Sequence, residues 1–242
     1  MAKEEQGRTI DGDTPNLPVD VRKQLQEEAD RLARKIAAPS GDKITVTRRK
    51  TFKLPNGTEG PTLRVVVLDF VSYNAFYDRA FSDDEKSPPA CFALGDDPRQ
   101  LKPSDNSPDK QADDCADCPN NQFGSRGKGK ACGNHRLLAV VEPGDNPDAP
   151  IYLLKTSPTA VKNWDSYASG VASKFGMSPI GVTTEVFFDP GKDYPTLMFG
   201  EPQPNPDVKL HIARKDAATK RLLTEPDVSS YEPVKKPAGK RK

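Results

Sequence analysis

Thr62-Leu63-Arg64-Val65-Val66-Val67-Leu68-Asp69-Phe70-Val71-Ser72 is the stretch that decides the fold. Its apolar side chains (Leu63, Val65, Val66, Val67, Leu68, Phe70, Val71) are mostly consecutive and rich in β-branched types. Such a run fits a central strand covered on both faces, where alternation is lost. Before it, residues 43–50 alternate, with Ile44, Val46 and Arg48 on one side, and Phe52-Lys53-Leu54 meets Pro55-Asn56-Gly57, a hairpin-type turn. After it, Tyr73, Phe76, Tyr77 and Phe81 give an aromatic-rich segment.

Working outward, residues 90–94, 137–141, 151–155, 181–189 and 195–200 read as further short strands. Residues 158–175 read as a helix with Val161, Trp164, Ala168, Val171, Ala172 and Phe175 on one face and Gly176 as its C-cap. A short helix is expected within 207–223. The resulting fold class is α+β, mostly β. A helix falling between the strands at 151–155 and 181–189 points to an OB-like barrel.

The ends read differently. Residues 1–16 are polar and aperiodic and are expected to be disordered. Residues 17–38 carry Leu17, Val21, Leu25, Leu32 and Ile36 at helical spacing, an amphipathic helix opened by Pro18 and closed before Pro39-Ser40-Gly41. The domain is expected over 39–223, and 224–242 as a basic, disordered tail. The 24 prolines among 242 residues agree with much loop and a small core. Lys and Arg number 36 against 35 Asp and Glu, so net charge identifies no partner. No run approaches the ~18 apolar residues of a membrane span, and the first residues lack a hydrophobic signal region. The expectation is a soluble, cytoplasmic protein with no membrane partner.

All four cysteines lie within 91–132, spaced Cys91-x23-Cys115-x2-Cys118-x13-Cys132. In a reducing compartment such clustering points to metal rather than disulfides. A Cys-x-x-Cys turn presents two thiolates to one tetrahedral zinc, and Cys132 makes a third ligand. The fourth is either Cys91 or His135. Cys91 is preferred, because it ends one strand while Cys132 precedes the next, so the ion would staple the insert 91–135 at its base. Between Gly95 and Lys130 the only large apolar residues are Leu101 and Phe123, and an insert without a core needs such a staple. Catalytic zinc is disfavoured. The chain has two histidines, and Pro119 follows the cysteine pair where the deaminase signature has proline before it. No paired carboxylates or nucleophile–base set stands out, so neither an enzyme nor a small-molecule substrate is expected.

The run Gly124-Ser125-Arg126-Gly127-Lys128-Gly129-Lys130 matches the opening of a P-loop, but Ala131 replaces the Ser/Thr that would hold magnesium, and no apolar strand precedes it. Its cations Arg126, Lys128 and Lys130 suit phosphate-backbone contact instead. Arg48, Arg49 and Lys53 beside Phe52, with Tyr73, Tyr77 and Phe123, give the mixture of basic and aromatic groups that binds single strands, phosphates pairing with cations and bases stacking on rings.

The segment Cys115-Ala116-Asp117-Cys118-Pro119-Asn120-Asn121-Gln122-Phe123-Gly124-Ser125 with Gly127-Lys128-Gly129-Lys130-Ala131-Cys132 resembles one found in a group of bacteriophage and prophage proteins. Upstream Cys91-Phe92-Ala93-Leu94, downstream Arg136-Leu137-Leu138 and Pro158 to Trp164 fit the same pattern, so the resemblance spans about residues 88–200. It implies a phage-encoded protein of an infected bacterial host, similar to zinc-containing OB-fold single-stranded-DNA-binding proteins of replication or recombination. It also favours Cys91 over His135. Many such binders end in an acidic, partner-recruiting tail, whereas this chain ends in a basic one. The alternative reading is a protein-interaction module that recruits a polymerase or another replication protein through the 17–38 helix.

Overall fold

A computed structural model describes residues 42–79 and 87–233. The predicted N-terminal disorder and amphipathic helix, and residues 234–242 of the tail, lie outside them. Among the described residues, ten strands and three α-helices succeed one another. They are β1 (Thr45–Val46), β2 (Phe52–Lys53), β3 (Glu59–Gly60), β4 (Leu63–Phe76), β5 (Cys91–Gly95), β6 (Cys132–Val141), β7 (Tyr152–Lys155), α1 (Val161–Phe175), β8 (Val182–Phe188), β9 (Leu197–Phe199), β10 (Gln203–Pro204), α2 (Val208–Ala213) and α3 (Lys215–Leu222).

The expected central strand is central. β4 pairs antiparallel with β8 and β6, and its far end pairs with β5 on the side away from β6. The seven-stranded sheet runs β10-β8-β4-β6-β7, with β5 added to β4 and β9 to β8. It is open: β7 and β10 end it and do not pair with each other, so the predicted closed barrel is not formed. β4 extends through Phe76, taking in Tyr73 and Phe76 of the aromatic segment, and β6 starts at Cys132, five residues before the expected strand.

Both faces of the sheet are covered, which explains the consecutive apolar residues of β4. On one face Val65 and Val67 join Leu138, Val140, Leu154 and Val186 beneath Trp164 of α1. On the other, Val66, Leu68 and Val71 join Ala139, Val141, Ile151 and Leu153 beneath Ala218 and Leu222 of α3. The register with β6 shifts between Val67 and Asp69. A bulge of this kind switches which side chains face which side. Beyond it Phe70 packs edge-on against Trp164, and Ser72, Asn74 and Phe76 continue the α1 face, while Tyr73 and Ala75 face the other way.

Three boundaries differ from expectation. The 43–50 strand is reduced to a bridge from Lys43 to Leu153 of β7 and a pairing at Thr45–Val46, because the chain turns at 47–51, with Lys50 in the left-handed region (φ 59°). That turn sits in a separate three-stranded sheet, β1-β2-β3, docked through Phe52 stacked on Phe188 at 4.5 Å. On α1, Trp164 and Val171 are buried as expected, but Tyr167 packs inward while Ala172 and Phe175 face solvent. The 207–223 helix is two helices broken at Arg214. Among the described residues no helix is long and apolar enough to cross a membrane.

Gly176 caps α1 as its sequence position suggests. Its φ is 66°, and its N–H donates to the Ala172 carbonyl at 3.0 Å. A Cβ there meets nothing, so Gly176→Ala tests backbone strain alone. The expected cost is about 1 kcal/mol, seen in a thermal melt as a fall of roughly 2–4 °C.

Candidate metal centre

The pairing register builds one wall of the site. Phe76 of β4 stands opposite Cys132 of β6 on one side and Cys91 of β5 on the other; two residues back along the strand, Asn74 stands between Asn134 and Ala93. These residues share the α1 face of the sheet, beyond the reach of α1. The insert folds over them. Cys115, Cys118, Asn121, Pro103 and Gln111 close a small cavity against Asn74, Phe76, Cys91, Ala93 and Cys132. All four cysteines are buried and unbridged.

The insert is held by more than its thiols. Residues 104–109 run along the outer edge of β5: Ser104 N–H donates to the Phe92 carbonyl (2.8 Å), Asp109 N–H to the Ala90 carbonyl (2.8 Å), and Ser107 Oγ both accepts from Phe92 N–H and donates to its carbonyl (3.1 Å each). Leu101 packs with Ala93 and Cys115 as a small core of its own. The Cys115–Cys118 turn is shaped by Asp114, whose Oδ1 accepts from Ala116 N–H (2.8 Å), and by the Asn121 N–H donated to the Cys118 carbonyl (2.9 Å).

Three amides that the sequence pattern did not single out tie sheet to insert. Asn134 Nδ2 donates to Asn74 Oδ1 (2.7 Å) and to Asn121 Oδ1 (2.9 Å), and Asn121 Nδ2 donates to the Cys115 carbonyl (2.6 Å). Asn74 spends its oxygen on Asn134, which turns its NH2 toward Cys115, and it bonds that thiol. A donor aimed at sulfur favours the thiolate, the form that binds metal. The available signal was Asn74, a polar residue inside an apolar strand.

Burial pushes the Cys115 thiol up to about 11, with Cys91 and Cys118 raising it further and the Asn74 bond opposing. Burial likewise pushes Cys132 up to about 12, and Cys115, Cys118 and Cys91 add to the shift. The four sulfurs thus lie near enough to disfavour one another's charge, and a divalent cation among them would invert that balance. Among the described residues, however, no group of three or more His, Cys, Asp or Glu side chains stands in a geometry that could hold a metal ion. The donor set fits zinc chemically, being four soft sulfurs with no carboxylate in the cavity. The spacing would have to close around the ion.

His135 is turned away from the cavity. It lies on the opposite sheet face, donates Nδ1–H to the Thr156 carbonyl (2.7 Å) and faces Tyr73 and Lys155. Among the two candidates for the fourth ligand, only Cys91 lines the cavity. Burial, with the Lys155 charge second, pushes the His135 imidazole down to about 4. The unfolded chain therefore takes up the proton first as pH falls, and stability is full above about 6.5 and declines toward 4. Between pH 7 and 5 the wild type is expected to lose about 1–2 kcal/mol that His135→Gln does not lose. Urea melts of both proteins at the two pH values measure this.

The loop 122–131 rises from this base. Gly124 and Gly127 take φ of 92° and 60°. Gly124 N–H and Arg126 N–H donate to the Gly129 carbonyl, and Gly129 N–H returns to Arg126 (2.9, 3.3 and 3.0 Å). Those amides are used within a hairpin turn, so the run is not a phosphate-cradling P-loop. Ser125 Oγ ties the base, donating to the Gln122 carbonyl (2.6 Å) and accepting from Ala131 N–H (2.9 Å). Phe123 is 81% exposed, with Lys130 Nζ 5.1 Å from its ring centre. Arg126 and Lys128 are exposed in the same loop.

The other predicted contact residues do not join this loop. Tyr73 is buried, its hydroxyl paired with Tyr77, and is no stacking platform; Tyr77 is 38% exposed. Arg48 and Arg49 occupy the 47–51 turn and Lys53 lies on β2, near the opposite end of β4; all three are exposed. β4 has 14 residues, so at ~3.3 Å per residue the two ends are roughly 40 Å apart. No protein-family model matches the chain, and neither a curated protein nor a solved structure is similar to it.

Proposed function

We propose that this protein binds single-stranded DNA without catalysis, through a loop held in place by a structural zinc ion at Cys91, Cys115, Cys118 and Cys132. The observation that carries the reading is Phe123, a large ring left 81% exposed just before the 124–129 hairpin, with Lys130 against its face and the exposed Arg126 and Lys128 in the same loop. An exposed ring with cations around it suits a base stacked on the ring and phosphates paired with the charges. A zinc ion would supply no chemistry here beyond cross-linking insert and sheet. The residues of this chain do the binding. The resemblance to phage proteins supports a role for such binding in replication or recombination.

The test is binding of the zinc-loaded protein to a fluorescent single-stranded oligonucleotide across a salt series, with a duplex control. Affinity is expected to fall steeply with salt, because phosphate contacts release counterions, and to favour the single strand. Absence of binding at low salt overturns the reading. In that event Phe123 would be read as an anchor for a protein partner such as a polymerase, exposed aromatics being common hot spots of interfaces.

A further inference from the structure

Two turns far apart in the chain meet at the end of β4 remote from the cysteines. One is the 47–51 turn, with Arg48 and Arg49 at its tip. The other is the 189–194 turn, which follows β8 and carries Lys192 and Tyr194. Lys50 joins them: its Nζ donates to the Lys192 carbonyl and lies 3.4 Å from that of Asp189. Neutral carbonyls take up its hydrogen bonds and leave its charge in place. Beneath the junction Phe52 stacks on Phe188, the last residue of β8.

The first turn is closed by its own threonines. Thr47 N–H donates to the Thr51 carbonyl (2.9 Å), Thr51 N–H donates to Thr47 Oγ1 (3.2 Å), and the two hydroxyls share a hydrogen bond (2.6 Å). Lys50 holds its φ of 59°, a conformation that a residue with a Cβ keeps only where its surroundings fix it. Its side chain crosses to the second turn, while Arg48 and Arg49 stay exposed. The surface so assembled sets Arg48, Arg49, Lys50, Lys53 and Lys192 against three carboxylates, Glu59, Asp189 and Asp193. Two of the three are engaged within it. Glu59 accepts the Thr51 hydroxyl (2.6 Å) and stands opposite Lys53, and Asp189 Oδ1 accepts the Gly191 N–H (2.8 Å). Tyr194 adds a ring that is 50% exposed. An excess of cations with an exposed ring is what the 122–131 loop also offers, and it suits phosphates and a stacked base.

The two patches share a side of the sheet. The insert folds over the α1 face, and Phe52 and Leu54 of the small sheet enter the core beneath Trp164 on that same face. Antiparallel pairing of β8 with β4 puts the 189–194 turn past the start of β4. Pairing of Phe76 with Cys132 puts the 122–131 loop past its end.

We propose that the joined turns 47–51 and 189–194 form a second contact for single-stranded DNA, engaged by the same strand that lies on the 122–131 loop. One domain then holds a strand at two points roughly 40 Å apart. This rests on the single-stranded-DNA reading above. At the ~3.4 Å per nucleotide of a stacked strand, about twelve nucleotides span the gap, and about five cover less than half of it. For a spanning strand the second contact is intramolecular, at an effective concentration of about 1 mM. Against the ~0.1 mM Kd of a weak non-specific phosphate contact, that raises affinity about tenfold.

The test is a length series. Fluorescent oligothymidylates from about 5 to about 20 nucleotides are titrated with the wild type, with Arg49→Glu combined with Lys192→Glu, and with Tyr194→Ala, over a range of sodium chloride. Wild-type affinity should step up about tenfold near twelve nucleotides, above the gradual rise that additional binding registers give. The double reversal should abolish the step and flatten the long-strand log–log salt slope by about 1.4, two cations at about 0.7 each. Tyr194→Ala should reduce the step severalfold at unchanged slope. Both variants should bind the shortest strand like the wild type, which also shows that they are folded with the loop intact. A smooth length dependence in the wild type overturns the proposal. A step that survives the double reversal comes from two chains sharing a strand and overturns it too. Variants weakened equally on the shortest strand place the primary contact at this end of β4 and overturn the two-point arrangement. If the wild type binds no strand of any length, the single-strand reading falls first and this inference with it.

Discussion

Purified protein is expected to carry one zinc ion per chain, and Cys132→Ser to lose the ion together with the order of the insert. Cys132 is the residue to choose because it joins the strand to the turn. It pairs with Phe76 in β6 and lines the cavity with Cys91, Cys115 and Cys118. Zinc binding to the native state alone, at a thousand times its Kd, adds ~4 kcal/mol of stability. For a domain of this size that is a fall in melting temperature of roughly 8–16 °C on chelation or substitution. The rest of the sheet, with cores beneath Trp164 and Leu222, should survive. Limited proteolysis should then cut between 95 and 131 in the metal-free protein and not in the loaded one. Metal analysis, a thermal melt and a digest decide the matter. A metal-free preparation as stable and as protease-resistant as a zinc-supplemented one would mean that hydrogen bonds alone hold the insert, and the four sulfurs would be buried thiols. The bonds from residues 104–109 to β5 and the Asn74–Asn134–Asn121 ladder make that outcome a real competitor.

The range of the forces involved decided which features of this region were legible in the sequence. The 62–72 run announced a strand covered on both sides, and β4 is that strand. Its local composition records two-sided burial, whereas the open edges of the sheet depend on pairing partners far along the chain. An open sheet and a barrel share the same short strands, so closure was not legible. Trp164 and Gly176 were legible because a helix face and a left-handed cap are local. Tyr73 was misread as a stacking surface, since an aromatic residue on a strand carries no mark of which face it takes. The bulge between Val67 and Asp69 sets that face. The grouping of the cysteines in the chain did anticipate one cavity, and the preference for Cys91 over His135, drawn from strand ends, agrees with the register. Cys132 and Asn134 point one way from β6 and His135 the other. The placement of residues 224–233, expected in a disordered tail, was hidden for a similar reason: Glu225, Tyr231 and Glu232 bond to Ser104, Asn106, Asp78 and Arg79, more than a hundred residues away.

Phe123→Ala and the triple reversal Arg126→Glu, Lys128→Glu, Lys130→Glu are expected to remove most single-strand affinity while leaving the fold intact. Stacking of one base on an exposed ring contributes ~1–3 kcal/mol, so the alanine variant should bind roughly 5- to 150-fold more weakly at any salt, because a stacking contact releases few ions. The triple reversal removes three cations, and at about 0.7 per phosphate contact the salt slope should flatten by about 2. The two variants thus fail differently, one in affinity alone and the other in affinity and slope. Neither should unfold the protein, since Phe123, Arg126 and Lys128 are exposed and the loop is tied through backbone amides and Ser125. Lys130 also reaches Asn121 Oδ1 at 3.3 Å, so a zinc assay on the triple variant separates lost binding from a loosened insert. Arg48→Glu with Arg49→Glu is the informative contrast. Those residues sit roughly 40 Å away at the other end of β4, and a short oligonucleotide held at the loop cannot reach them. They should matter only for strands long enough to span the domain. If the distant pair costs as much as the loop on a short strand, the binding face lies along the small β1-β2-β3 sheet and the loop at 122–131 serves another partner.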